Sequence, residues 1–153
     1  MRSLWLLFGL FTAQLHAQDS IEDPAKLVLT LLNDSASSVI KDAETLLTAH
    51  SWESLAYWDS GTPSIRENLY EAVPDVYRFQ EGMFDLILYQ QDAPSGQKIK
   101  GHYRLDGNQL MLLDQNGFEV LDRWRIHYLD KHYLAVDMDG LRVFFVAPDN
   151  DPF

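Results

Sequence analysis

The sequence predicts a mostly β protein: a small antiparallel up-and-down β-barrel of about eight strands, preceded by two short N-terminal helices. Turn pairs divide its second half at close intervals, and short apolar runs lie between them. These pairs are Glu81-Gly82, Asp106-Gly107, Asn116-Gly117 and Asp139-Gly140. Because such residues supply the positive φ angles of tight hairpins, we expect consecutive antiparallel strands. A barrel hides the strand edges that an open meander would expose.

Residues 1–17 have the layout of a secretory signal peptide. Arg2 gives a positive start, an apolar stretch runs over 4–15, and the small Ala17 precedes the expected cleavage point. The alternative is a membrane anchor that stays attached, although the stretch is short for a bilayer span. The sequence therefore predicts an exported protein, periplasmic or extracellular, with no transmembrane segment after cleavage.

The acidic balance and the lack of cysteine restrict the possible functions. The chain has 12 Lys+Arg against 23 Asp+Glu, and a net charge of −11. Such a surface repels phosphate backbones and anionic lipid head groups, so we expect no nucleic-acid partner. Without cysteine, the fold depends on packing, and thiol chemistry and cysteine metal sites are excluded. The length fits one ordinary domain.

Two amphipathic helices are predicted between the signal peptide and the barrel, in an N-terminal helical segment over 18–49. Asp23-Pro24 supplies a helix cap and a favourable first residue, and one helical face carries Leu27, Val28, Leu31 and Leu32. A second stretch repeats this spacing after a polar break. The predicted helices are 24–33 and 36–49. We expect their apolar faces to pack on the barrel or to close one end of it.

The strands are predicted from residue 51 onward, and an insertion follows the first of them. Ser64 and Glu67 match a capping box, so a short helix is expected over about 65–72, where it could gate a cavity or simply connect two strands. The predicted strands are 51–58, 76–80, 83–90, 98–105, 109–114, 118–129, 132–138 and 141–147. The tail, 149–153, is expected to be flexible.

Some of these segments resemble a known family. The run Gly101–Leu110 is similar to the G-x-Y-x-L-x-G-N-x-L hairpin of bacterial lipocalin-like domains, and Tyr77-Arg78-Phe79 before Gly82 resembles their opening. The resemblance covers about 46–147. It implies a calycin-type β-barrel in an exported protein, here placed at 50–148, with an apolar ligand.

No catalytic or metal-binding motif stands out. The serines lack a G-x-S-x-G context, and the histidines after the signal peptide form no close ligand pair. His127 and His132 flank a turn and would make at most a weak metal site; exposed strand histidines are the simpler interpretation. The sequence therefore predicts a non-enzymatic protein with no cofactor and no metal. A barrel enzyme such as a cyclase or isomerase is the distant alternative.

Aromatic side chains are dense along the predicted strands, where they either fill a core or line a pocket. The candidate ligand-binding residues are Trp52, Tyr77, Phe79, Phe84, Tyr103, Trp124 and Tyr128. The first hypothesis is an exported protein that binds a small hydrophobic or amphipathic ligand. The alternative is a protein–protein interaction module, such as an envelope assembly factor or an inhibitor, that uses the barrel as a scaffold. Exposed aromatic residues would gather in a cavity in the first case and in an outward patch in the second.

Overall fold

The computed structural model describes residues 40–59, 62–67, 74–90, 93–149 and 153. One helix and nine strands lie within these residues. They are α1 Ala43–Thr48, β1 Ser51–Asp59, β2 Thr62–Glu67, β3 Val76–Gln80, β4 Met83–Gln90, β5 Ala93–Asp106, β6 Gln109–Leu113, β7 Val120–Leu129, β8 Tyr133–Met138 and β9 Leu141–Val146. In the part of the chain that the structure describes, no helix is long and apolar enough to span a bilayer.

The strands close into a barrel. From β3 to β9 each strand pairs antiparallel with the next, and β9 returns to pair with β1. The first part of β1 pairs with β3, and its second part pairs with β2 along the same edge. With β2 joined only to β1, the closed ring has eight strands. The predicted antiparallel up-and-down barrel is confirmed.

Tight turns join neighbouring strands at the predicted pairs. Glu81 and Gly82 have φ angles of 51° and 78°, and Asp139 and Gly140 have φ angles of 45° and 84°. Two successive positive φ angles are typical of the type I′ hairpin, in which glycine at the second position adopts the left-handed conformation without strain. These residues thus form the hairpin turns that the sequence predicts.

The insertion after β1 differs from its prediction. The helix expected over 65–72 is wrong for 65–67, which belong to β2. There Ile65 pairs with Trp58, and Glu67 pairs with Ala56. Backbone pairing along the free edge of β1 therefore outweighs the local helix-start signal of the capping box. The remainder of that predicted helix lies outside the described residues.

The helix predicted over 36–49 is shorter in the structure, where α1 covers only Ala43–Thr48. Asp42, just before it, has a left-handed φ of 57°, which interrupts a continuous helix at this point. The predicted signal peptide and the helix at 24–33 lie outside the described residues. Another boundary also shifts, because β5 begins at Ala93 rather than near 98.

One hydrophobic cluster fills the interior of the barrel. Its buried members are Ala43, Leu47, Trp52, Phe79, Phe84, Leu86, Tyr103, Leu110, Leu112, Trp124, Ile126, Leu129, Leu134, Val136 and Phe145. Because side chains alternate along a strand, Ala135 and Phe144 point to the opposite face of the sheet. They form a smaller outer cluster with Leu55, Trp58, Tyr128 and Tyr133.

Helix α1 closes one end of the barrel. Leu47 is fully buried in the interior cluster, and its carbonyl oxygen accepts a hydrogen bond from Trp52 Nε1 at 2.9 Å. The Tyr103 hydroxyl donates to the Glu44 carboxylate, which ties the helix to β5. We call this the closed end. The opposite end, where the β6–β7 and β8–β9 hairpins lie, is the far end.

Candidate ligand-binding site

The candidate aromatic residues other than Tyr128 meet in the interior of the barrel. The Phe79 ring is central, with its centroid 5.2 Å from that of Tyr103 and 6.3 Å from that of Trp124. Both contacts are edge-to-face, which is a favourable arrangement for aromatic rings. These six side chains therefore lie on the inner face of the sheet.

Tyr128 lies elsewhere. A bulge between Ile126 and Tyr128 shifts the pairing of β7 with β8 and breaks the strict alternation of side chains. Tyr128 therefore belongs to the outer cluster, and its hydroxyl donates to Asp130 Oδ2 at 2.7 Å. Nothing in the local sequence marks this bulge, so alternation alone would have placed Tyr128 on the side of Trp124 and Ile126.

The interior side chains near the closed end are fully packed by protein. Trp52 and Phe79 have 0% exposure, Phe84 has 2% and Tyr103 has 5%. Side chains with so little exposure are in contact with protein on all sides, as in an ordinary core. These residues consequently build the floor of the barrel.

Toward the far end, partly exposed side chains surround the core. Tyr77 and Trp124 meet there, with ring centroids 5.0 Å apart in an edge-to-face contact. Half-buried apolar residues pack against the interior cluster around them: Leu88, Ile99, Met138 and Val143. We call Tyr77 and these four residues the far-end lining; Trp124, with 1% exposure, belongs to the packed core beside it. The aliphatic members were missed in the sequence because only the tertiary structure shows which end is closed.

Two carboxylates approach the far-end lining. Asp122 lies two residues before Trp124 on β7, and its Oδ2 accepts a hydrogen bond from Trp124 Nε1 at 2.8 Å. Burial raises the pKa of the Tyr77 phenol well above its usual range, and the nearby charges of Asp75 and Asp122 raise it further. The Tyr77 hydroxyl therefore stays protonated at neutral pH, in a negative electrostatic environment.

Asp75 is itself partly removed from water. Burial raises the pKa of its carboxyl group, and a backbone hydrogen bond from Tyr89 opposes that shift. The main chain of Asp75 is fixed to β1, because its N–H donates to Ser54 Oγ at 3.0 Å and its carbonyl accepts from the Ser54 N–H at 2.9 Å. The carboxylate thus has a defined position at the start of β3.

Solved structures from Bacteroides share this architecture. A lipocalin-like protein from Bacteroides uniformis matches with a TM-score of 0.53 and 17% sequence identity, covering 67% of this chain and 99% of that one. The fold is lipocalin-like. An uncharacterized protein from Bacteroides eggerthii matches with a TM-score of 0.52 and 14% identity, over 65% of this chain and 98% of that one. No family model and no curated protein matches the sequence.

The hairpin on which the sequence resemblance rests is part of this lipocalin-like barrel. Gly101 lies on β5 where a Cβ atom would overlap the Leu113 carbonyl oxygen and the Phe84 ring. Only glycine lets the strands approach so closely at this point. Gly107, with a φ of 57°, then turns the chain into β6.

A concave feature lies on the outer side of the lipocalin-like barrel. It has a volume of about 180 Å³ and is lined by Trp58, Asp137, Gly140, Leu141 and Arg142. The two charged groups bind each other, since Arg142 Nε and Nη2 donate to the Asp137 carboxylate at 2.6 Å and 3.0 Å. Ligand pockets usually measure about 300–1,000 Å³. This outer feature is therefore smaller than a usual ligand pocket.

Among the described residues, no group of three or more His, Asp or Glu side chains is placed to hold a metal ion. The chemistry of the far-end lining comes from apolar surface, one phenol and two carboxylates. Such a set favours a molecule with an apolar part and a hydrogen-bond donor or positive charge, because carboxylates only accept hydrogen bonds when ionised.

Proposed function

We propose that this lipocalin-like protein is exported and binds a small amphipathic ligand at the far end of its barrel, without catalysing a reaction. The proposal rests on the different exposure of side chains at the two ends of the barrel interior. The aromatic floor is packed by protein, whereas the far-end lining keeps partly exposed apolar surface beside polar groups. Binding proteins of this size commonly combine a mostly apolar wall with a few orienting polar groups.

The ligand's apolar part contacts Ile99, Val143 and the Tyr77 ring in this proposal. Its polar part carries a hydrogen-bond donor or a positive charge and lies near Asp75 and Asp122. An anionic head group is disfavoured there, because both carboxylates already raise the pKa of the Tyr77 phenol. Export rests on the predicted signal peptide at 1–17, and the non-enzymatic assignment on the absence of a catalytic motif in the sequence.

Native mass spectrometry of the protein purified from its own host, without denaturant, is the first test. We expect a discrete extra mass that disappears on unfolding. A displacement assay with an environment-sensitive apolar dye then compares an alkylamine with a fatty acid of equal chain length. We expect the alkylamine to displace the dye at lower concentration. A bare chain mass, together with no displacement by either amphiphile, would rule the proposal out.

A matched pair of variants locates the site. Ile99→Trp fills the space beside a half-buried side chain of the far-end lining, while Lys98→Trp adds the same bulk at the adjacent exposed position. We expect Ile99→Trp to weaken alkylamine binding at least about tenfold, or about 1.4 kcal/mol, and Lys98→Trp to leave it unchanged. Equal effects of the two variants would show that the ligand binds outside the far end.

A further inference from the structure

The outer surface of β5, β6 and β7 carries two arginines that flank a methionine. Met111 pairs with Arg104 on one side and with Arg123 on the other, so the three residues form one row across adjacent strands. With strands spaced about 4.8 Å apart, the arginine Cα atoms are about 10 Å apart. Both arginines are exposed, and Arg123 Nη1 lies 3.2 Å from Met111 Sδ.

The guanidinium groups of these two arginines have no carboxylate partner among the described residues. Other cations of the same barrel do, since Lys100 Nζ lies 3.0 Å from Asp85 Oδ1 and Arg142 Nε lies 2.6 Å from Asp137 Oδ1. The chain has 23 acidic residues against 12 basic ones, so intramolecular acceptors are abundant. Two neighbouring guanidinium groups are thus free to bind carboxylates supplied by another molecule.

Exposed apolar side chains lie on the hairpin that joins β6 to β7 and at the start of β7. Phe118 is 88% exposed and Leu121 is 52% exposed. Asp114 holds this hairpin in shape, because its Oδ1 accepts hydrogen bonds from the N–H groups of Phe118 at 2.8 Å and Glu119 at 3.1 Å. These hydrogen bonds also lower the pKa of the Asp114 carboxyl group. An aromatic ring on a hairpin that is already ordered loses little conformational freedom on binding.

The hairpin and the arginines belong to one surface. Gly117 lies against the His102 imidazole, where an added Cβ would be 3.4 Å from Cδ2. His102 is two residues before Arg104 on β5, so the turn leans over the outer side of this strand. We call the resulting surface the β5–β7 face. It consists of Arg104, Met111, Phe118, Leu121 and Arg123.

We infer that the β5–β7 face binds an acidic, amphipathic segment of another protein. Carboxylates of the segment pair with Arg104 and Arg123, and an apolar side chain between them packs on Met111, Leu121 and Phe118. Guanidinium groups bind carboxylates in a two-point geometry, and arginine and aromatic residues dominate the energetics of protein interfaces. The face lies on the opposite side of these strands from the interior, so the inference does not depend on the proposed ligand site.

The net charge decides between this partner and an extended polyanion. A membrane or a nucleic acid is large enough to interact with the charge of the whole protein, which is −11 and therefore repels it. A short segment meets only the local surface, because charges further away than about 8 Å are screened at physiological ionic strength. Of the five residues that form the β5–β7 face, two are arginines and none is acidic. Charge complementarity therefore favours a compact acidic segment.

Binding of a labelled synthetic peptide of alternating Glu and Leu residues to the full chain tests the inference. The double variant Arg104→Gln, Arg123→Gln removes both guanidinium groups. The matched control, Lys41→Gln with Lys131→Gln, changes the net charge equally at exposed positions outside the β5–β7 face. We expect the arginine variant to weaken binding at least about tenfold and the lysine variant to change it less than about twofold. Equal losses, or no binding by the wild-type protein, would overturn the inference.

Two further probes separate the apolar and charged contributions. Phe118→Ala should weaken peptide binding about fivefold while leaving the fold intact by circular dichroism, because the side chain is almost fully exposed. A peptide of alternating Lys and Leu residues should not bind. Arginine-dependent cosedimentation of the protein with phosphatidylglycerol vesicles, without binding of the acidic peptide, would assign the face to a membrane and overturn the proposal.

Discussion

The closed end and the far end of this barrel are built from the same strands but differ in what fills them. At the closed end, Leu47 and Trp52 are fully buried and hydrogen-bonded to each other. At the far end, Leu88 and Val143 are half-buried, and carboxylates approach the phenol of Tyr77. Apolar burial stabilises a fold, whereas partly desolvated acids cost free energy. The comparison indicates that the closed end supplies more of the stability, and the far end is the site of the proposed binding.

The largest effect is expected from Phe79, at the centre of the aromatic floor. Phe79→Ala removes a ring with 0% exposure that contacts Tyr77, Tyr103 and Trp124. We expect the free energy of unfolding to fall by about 3–5 kcal/mol, from lost burial and the cavity left behind. Urea denaturation followed by tryptophan fluorescence measures it. A loss below about 1 kcal/mol would show that the floor is not the stabilising core.

A leucine pair compares the two ends directly. Leu47→Ala removes a fully buried side chain of α1 at the closed end, and Leu88→Ala removes a half-buried one toward the far end. We expect losses of about 2–4 kcal/mol for Leu47→Ala and about 1–2 kcal/mol for Leu88→Ala, in proportion to the area buried. The same urea titration measures both. Equal losses would contradict the proposed division between the two ends.

A smaller effect is expected where α1 is tied to the barrel by a polar contact. Tyr103→Phe removes the hydroxyl that donates to the Glu44 carboxylate while keeping the buried ring. We expect a loss of about 1 kcal/mol, at the low end for a hydrogen bond to a charged group, because Glu44 is exposed. Unfolding in urea at neutral pH measures the loss. Glu44→Gln is the companion variant, since it keeps an acceptor and should cost less.

The same two interior phenols predict a response to alkaline pH. Burial raises the pKa of both Tyr77 and Tyr103 above the ordinary value of 10.0. Above that pH the unfolded chain loses these protons while the folded chain keeps them, so stability falls as the pH rises through the raised values. The contribution is fully present below pH 10.0. Stability measured against pH should fall less steeply in the double variant Tyr77→Phe, Tyr103→Phe.

Much of the fold could be predicted from local sequence, because tight turns need particular residues. The Glu81-Gly82 and Asp139-Gly140 pairs have the positive φ angles expected of them. The errors arise where long-range pairing decides the outcome. Ser64 to Glu67 carries a helix-start signal, yet these residues pair with β1. Part of β1 has an unpaired edge only because of how the barrel closes. The sequence of the insertion does not reveal that edge.

The candidate site was predictable only in part, for a related reason. Alternation along the strands is consistent with the shared face of Phe79, Tyr103 and Trp124, because the pairing is regular around each of them. It fails for Tyr128, since a bulge precedes this residue. The aliphatic far-end lining and the role of Asp122 depend on which end α1 closes. Which end the helix closes is decided by the tertiary structure, and no spacing of residues in the sequence predicts it.

The smallest effect is expected from Asp75, and it tests the far end most directly. Burial raises the pKa of this carboxyl above its ordinary value of 3.8, so the folded state favours the neutral acid. The stability contributed by the neutral form is present below pH 3.8 and is lost as the pH rises through the raised value. At neutral pH the ionised group therefore carries a small cost.

Asp75→Asn removes that cost while keeping a side-chain oxygen that can accept the backbone hydrogen bond from Tyr89. We expect a gain of about 0.5 kcal/mol or less at neutral pH, because the site is only partly buried. The gain should vanish in acid, where the wild-type carboxyl is also neutral. Urea denaturation at both pH values measures it. A loss of stability confined to neutral pH would mean that the ionised carboxylate stabilises the fold, and the contrast between a stabilising closed end and a far end kept for binding would then fail at this residue.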